Sequence, residues 1–244
     1  MTTRIFQPMP LKSGETVLLD EKSSHHLIRV LRIQVGEKII LFNGEGGEFE
    51  SAITAIQRKY VEAVVGAFNP REAESPLWLH LAQGIPRGEK MDYLLQKAVE
   101  LGVNAITPLL TARCTVKMDG ERMEKRIQRW RAIIISACEQ CGRNRIPEIF
   151  PAMKFSDWLE NMPCQNGFVL DPEAASSVKT TIADRLLQKA TLLAGPEGGL
   201  TADEIAKAKQ SGLIPLSLGP RILRTETAGL AAITAFQCLA GDIG

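Results

Sequence analysis

From Leu77 onward, runs suited to buried strands alternate with runs suited to amphipathic helices, and this alternation limits the fold more than any single motif. LWLHLAQ (77–83) reads as a strand. EKMDYLLQKAVELG (89–102) sets Met91, Leu94, Leu95, Ala98 and Leu101 on one helical face and stops at a glycine. VNAITPLL (103–110) is the next strand. Strand, helix, strand implies a parallel pair joined by a crossover, so the spacing predicts an α/β fold on a parallel sheet. The pattern continues with helix 121–142, strands 167–171 and 190–194, helix 201–212, strand 213–218 and helix 225–241. Met123, Ile127, Trp130, Ile134, Ala137 and Cys141 form a stripe at three-four spacing in the first of these helices. Thr201 followed by Glu204 is a capping box.

The first seventy residues have a different grain. KIILF (38–42), EFESAITAI (48–56) and YVEAVVGAF (60–68) are short β-prone runs separated by turn-like NGEGG and QRK. SSHHLIRVLRI (23–33) reads as a short helix with a serine cap. FNPREAESP (68–76) makes a linker. The reading is a small, mostly antiparallel β domain over 1–72 and an α/β domain over 73–244.

With 45% apolar and 23% charged residues the chain has a globular profile. No stretch of eighteen unbroken apolar residues is present, and MTTRIFQPMP lacks the apolar core of a signal peptide, so the expected location is the cytoplasm. Five cysteines, an odd number, argue against a disulfide framework there. Cys138-x-x-Cys141 has no second pair to complete a zinc site and lies at a helix end, so it reads as packing, and the three scattered histidines suggest no metal. Net charge is +1, yet nine Arg or Lys stand against four Asp or Glu between Arg113 and Arg145. This stretch, with Arg122, Lys125, Arg126 and Arg129 off the apolar stripe, is either a solvated helix face or a local surface for an anionic partner.

Two strand-to-helix turns carry the chemistry. They are LLAGPEGGL (192–200) and LSLGPRILRTETA (216–228). Loops at the carboxyl ends of parallel strands are where open α/β sheets bind ligands. Glycine permits close backbone approach and positive φ, and proline stiffens the turn. A pair of such turns offers fixed N–H and C=O groups suited to an adenine or a ribose. Neither is a dinucleotide fingerprint or a P-loop. Arg221, Arg224, Thr225 and Glu226 crowd the second turn; Thr225 is also the natural cap of the last helix. Glu197 in the first turn either binds a hydroxyl or caps the turn.

Together with IPRGEKMDYLLQKAVELGV (85–103), CEQCGRNRIPE (138–148) and the N-terminal HHLIRVLR, these two turns make the chain similar to the RsmE family over nearly its whole length. That resemblance implies a SPOUT-type α/β domain whose parallel sheet is tied in a trefoil knot, preceded by a PUA-like β-barrel that binds RNA. It implies a homodimer that uses S-adenosylmethionine to methylate N3 of a uridine in the 3′ minor domain of 16S ribosomal RNA, in the decoding region, on the assembled 30S subunit. The cofactor would lie against Leu170, Asp171 and Pro172, against Gly195, Pro196, Glu197, Gly198 and Gly199, and against Leu218, Gly219, Pro220, Ile222, Leu223, Arg224 and Thr225.

A uridine N3 becomes a nucleophile only when it loses its proton. Arg224 is the candidate partner of the resulting anion or of nearby phosphate. Glu197 and Glu226 are alternative proton acceptors. Arg87, and Arg143, Asn144 and Arg145 in CGRNR, are RNA candidates, with Arg29 and Arg32 in the small domain; CGRNR also reads as cations complementing a helix C-terminus. Two other functions stay open: methylation of another RNA position, and a non-catalytic role in RNA binding or ribosome assembly.

Overall fold

The computed structural model describes residues 2–116, 120–161, 166–182 and 185–244. The chain divides into two compact units. One comprises Met1–Glu74 and Cys138–Ile146, the other Ser75–Ala137 and Pro147–Gly244.

The smaller unit contains β1 (Thr3–Phe6), β2 (Thr16–Leu18), α1 (Glu21–His25), a π-helical segment (His26–Leu31), β3 (Lys38–Phe42), β4 (Glu48–Ile56) and β5 (Val61–Asn69). Its sheet runs β1-β3-β4-β5-β2. β1 pairs in parallel with β3, and the remaining pairings are antiparallel. Alternation sorts the faces: Val61, Ala63 and Val65 are buried while Glu62 and Val64 are less so, and the inner residues meet Ile39, Leu41, Ile53 and Leu27. The cap of α1 is Asp20 rather than the expected serine, accepting from Ser23 N–H. The predicted single helix also changes character at His26, where wider π turns end on Arg32 in the left-handed region (φ 53°).

The larger unit holds β6 (Trp78–Gly84), α2 (Lys90–Glu100), β7 (Ala105–Leu110), β8 (Glu148–Ile149), β9 (Met153–Lys154), α4 (Phe155–Asn161), β10 (Gly167–Leu170), α5 (Val178–Ile182), β11 (Lys189–Ala194), α6 (Ala202–Gln210), β12 (Ile214–Leu216) and α7 (Thr225–Ala240); most of α3 (Gly120–Cys141) belongs here too. The sheet order is β12-β10-β11-β6-β7-β8, with β9 also on β7, and every pairing is parallel. Both faces are covered, so the strands are almost wholly apolar: Leu79, Leu81 and Ala82 of β6 and Leu192 and Leu193 of β11 are fully buried. α2 and α7 pack together, and Phe168 of β10 meets the Phe236 ring of α7 edge-on at 4.9 Å. The end of α2 is set by Gly102 at φ 86°, where the Val103 N–H donates to Ala98 C=O. The capping box of α6 is formed as expected: Thr201 Oγ1 accepts from Glu204 N–H, and Glu204 Oε2 accepts from Thr201 N–H.

No helix among the described residues is long and apolar enough to cross a membrane.

Candidate active site

Because β6, β10, β11 and β12 are neighbours and run in one direction, the loops that follow them emerge from one edge of the sheet. The Gly195 corner follows β11. A Cβ on Gly195 would lie 2.8 Å from Leu200 N and 2.9 Å from Gly199 C, so the corner closes only with glycine. Pro196 is buried against Gly84 at the end of β6, where an added Cβ would meet Pro196 N and Cδ at 2.6 Å.

The second corner is bonded to the first. Thr225 Oγ1 donates to Gly195 C=O at 2.6 Å. Gln83 Nε2 shares its two hydrogens among Gly195 C=O (3.1 Å), Gly84 C=O (2.9 Å) and Thr225 Oγ1 (2.9 Å). The capping role expected of Thr225 is therefore not what its hydroxyl does. Arg224 holds the N-cap position of α7 with no side-chain cap, and Thr225, one residue inside, faces the neighbouring corner instead.

Between these corners the segment Leu218–Arg224 is open. Gly219 takes φ 105° with nothing within 4 Å of where a Cβ would stand. Pro220, Arg221 and Arg224 are exposed, Leu218 and Leu223 are half-buried, and Ile222 is 87% exposed. The β10 loop is pinned alongside: Asp171 N–H donates to Leu216 C=O at 2.9 Å, and its Oδ1 accepts from Glu173 N–H. Asp171 is buried and holds its own turn, whereas Pro172 is exposed and Leu170 half-buried.

Charge is organised around one lysine that sequence reasoning missed. Lys90 Nζ, at the start of α2, lies 3.1 Å from Glu197 Oε1 and 3.6 Å from Glu226 Oε2. Glu197 Oε1 also accepts from Arg87 N–H at 2.9 Å. Partial burial works to raise the Glu197 carboxyl, but the Arg87 and Lys90 bonds outweigh it and hold it below the usual carboxylate range. Arg113 Nη1 donates to Gly198 C=O at 2.7 Å and clamps the glycine pair from outside. Gln83, a polar residue at the end of a mostly apolar strand, is the visible signal for this network; Lys90 and Arg113 have none beyond their charge.

The RNA candidates separate by burial. Arg29, Arg32 and Arg87 are exposed, and Arg87 Nε donates to Thr115 Oγ1. Direct RNA contact by Arg143 and Asn144 does not fit their placement within the smaller unit. Arg143 is 4% exposed and forks onto Glu74; burial opposes its charge, and the Glu74 carboxylate more than restores it. Asn144 is fully buried, donating to Arg71 C=O at 2.7 Å and accepting from Arg4. Arg145 reaches solvent, with Nε 3.5 Å from Glu72. On α3, Arg129 is paired with Asp92 and Lys125 with Glu121, which removes part of that face's positive charge. Burial pushes the Cys138 thiol up to about 12, against the pull of Arg143, so this thiol is inert at neutral pH. Among the described residues no cluster of His, Cys, Asp or Glu is arranged to hold a metal ion.

Residues 73–237 match the family profile described as an RNA methyltransferase domain, and residues 19–66 match that of an RNA methyltransferase PUA domain. The chain is 38% identical to ribosomal RNA small subunit methyltransferase E of Buchnera aphidicola subsp. Schizaphis graminum, covering 98% of this chain and 97% of that protein. It is 32% identical to the Bacillus subtilis protein of the same name, with 95% of each covered. Among solved structures, ribosomal RNA small subunit methyltransferase E from Neisseria gonorrhoeae bound to S-adenosyl methionine superposes with a TM-score of 0.92 at 39% identity, over 100% of both chains. A methyltransferase from Legionella pneumophila in complex with the same cofactor gives 0.95 at 40% identity, over 99% of each.

Proposed function

Because the chain belongs to the ribosomal RNA small subunit methyltransferase E family, we propose that it methylates N3 of a specific uridine in the 3′ minor domain of 16S ribosomal RNA. The methyl donor is S-adenosylmethionine, the substrate is the assembled 30S subunit, and the working form is a cytoplasmic homodimer. The single observation that carries this reading is the bonded pair of corners, Thr225 on Gly195 with Gln83 beneath both.

The residues present fit that cofactor. The open cradle at Gly219, the apolar Leu218, Ile222 and Leu223 beside it, and the glycine-only corner at Gly195 suit a ligand with a flat apolar face and a polar rim. Gly195 to Gly199, Leu218 to Thr225, and Leu170 to Pro172 would hold it. Bound there, S-adenosylmethionine supplies a methyl group already activated on a sulfonium, so the protein's work lies with the acceptor.

That work is alignment and charge. Rigid corners fix one reactant, and holding the other in line is worth up to ~7–11 kcal/mol in favourable cases. Arg224 faces the negative charge that develops on the uracil as N3 gives up its proton. Glu197 or Glu226 receives that proton. Arg29, Arg32, Arg87 and Arg145 meet the RNA, while Arg143 and Asn144 shape the loop that presents Arg145. The trefoil knot belongs to the same reading: β10 lies between β11 and β12, strands that both follow it in sequence, and this supports a chain that returns past itself.

The test is transfer of a labelled methyl from S-adenosylmethionine to undermethylated small subunits, followed by nucleoside analysis. Label in 3-methyluridine from 16S RNA is expected. Label in another nucleoside, or none, would overturn the reading.

A further inference from the structure

The two carboxylates available for the N3 proton are joined by one cation, yet their surroundings are unequal. Glu197 Oε1 accepts from both Arg87 N–H (2.9 Å) and Lys90 (3.1 Å), and its side chain is 28% exposed. Its Oε1 is committed to holding the loop between β6 and α2 to the Gly195 corner. Glu226 is 15% exposed; among the described residues its Oε2 is shielded from solvent with no hydrogen-bond partner, and Lys90 Nζ lies 3.6 Å from it. A buried carboxylate oxygen without a donor costs the fold its desolvation, so it is retained at a site where a donor arrives in use. Glu226 also stands next to Thr225, whose bond to Gly195 C=O fixes the first turn of α7 against the corner.

We propose that Glu226 is the catalytic base and that Lys90, anchored by Glu197, is a positioning residue that aims the Glu226 carboxylate and balances its charge. This rests on the methyl-transfer reading above. In the step, the N3–H bond breaks, its electron pair remains on N3, and the proton forms an O–H bond on the Glu226 carboxylate. The uracil anion is the nucleophile, and no oxidant or reductant is consumed. Glu197 is then a structural clamp.

The experiment compares kcat and KM on undermethylated small subunits, and the calorimetric Kd for S-adenosylmethionine, for the wild type and for Glu226→Gln, Glu197→Gln, Lys90→Met and Lys90→Arg. Loss of the base is expected to lower kcat of Glu226→Gln by roughly 10²–10⁴-fold with the cofactor Kd nearly unchanged. Formate added to Glu226→Ala restores part of kcat, a rescue that a merely structural role would not permit. Lys90→Met loses kcat, Lys90→Arg recovers most of it, and Glu197→Gln is the mildest of the carboxylate changes. Retained kcat in Glu226→Gln, a loss of cofactor affinity that accounts for its whole defect, or a larger kcat loss in Glu197→Gln would overturn the assignment. A wild-type product other than 3-methyluridine would overturn the functional reading itself, and nucleoside analysis reports it independently of the variants.

Discussion

The Thr225 hydroxyl donates to the Gly195 carbonyl at 2.6 Å and joins two loops that leave different strands. The bond makes the site one object rather than two adjacent turns. Thr225→Val keeps the shape and removes the donor. A net hydrogen bond is worth ~1 kcal/mol, so cofactor affinity is expected to fall by about five- to tenfold in a calorimetric titration, with the melting temperature little changed. Unaltered affinity would show that the corners hold their spacing without the bond.

Gly84 lies outside both corners but supports one of them. Its missing Cβ leaves room for Pro196, 2.6 Å from where that atom would stand. Gly84→Ala is expected to push the first corner outward and weaken S-adenosylmethionine binding as severely as Gly195→Ala, whose Cβ meets Leu200 N at 2.8 Å. A Gly84→Ala protein with wild-type affinity would show that the sheet edge yields more readily than backbone contacts at this distance allow.

Arg224 is exposed at the N-cap of α7 and contributes no side-chain cap. Arg224→Ala is therefore expected to fold normally and to lose roughly 10²–10³-fold in kcat, the usual cost of removing one group that stabilises developing charge. Circular dichroism and turnover on small subunits check the two halves of this prediction.

Arg143 and Arg145 are expected to fail differently. Arg143→Ala leaves the Glu74 carboxylate without its buried partner and is expected to cost about 3 kcal/mol in urea unfolding. Arg145→Ala should leave stability unchanged and reduce the salt dependence of RNA binding by about one unit of slope. The reverse pattern would return Arg143 to the RNA surface.

His80 of β6 is 8% exposed, with Nε2 2.8 Å from Thr107 Oγ1. Burial, with a smaller push from Lys189, lowers its pKa to about 4. The unfolded chain takes up this proton near pH 6.5 and the folded chain does not until near pH 4, so the unfolded state binds more protons in between. Stability is thus lost as pH falls through that window, by up to about 3 kcal/mol from this residue. His80→Gln should flatten the decline in urea midpoints between pH 7 and pH 5. A parallel decline would assign it to other groups.

Legibility in the sequence followed the strength of local periodicity. KIILF and EFESAITAI fall on β3 and β4 residue for residue because each alternates or runs apolar long enough to define a face. β1 and β2, of four and three residues, and β8 and β9, of two each, are too short to carry a pattern and exist through their neighbours. The strand expected over 213–218 stops at Leu216, since Ser217 turns its hydroxyl to Gly219. At the site, glycine and proline marked the two corners, but their bonding depends on Gln83, more than a hundred residues from either partner. Arg143 looked like a surface cation because its partner Glu74 lies 69 residues earlier, beyond any local pattern.

The smaller unit also constrains how the chain can be made. Its N-terminal stretch is completed by the segment from Cys138 to Ile146, which accepts Arg4 on Asn144, receives Arg71 on Gly142 C=O and occupies Glu74 with Arg143. A piece ending at Glu74 would keep Arg4 and Arg71 on Glu48 but leave the Glu74 carboxylate without Arg143, so a contiguous fragment of this lobe is expected to be less stable than the same lobe in the whole chain. During synthesis it stays unfinished until residue 146 has cleared the exit tunnel, by which time α3 and the first strands of the larger sheet have already been made.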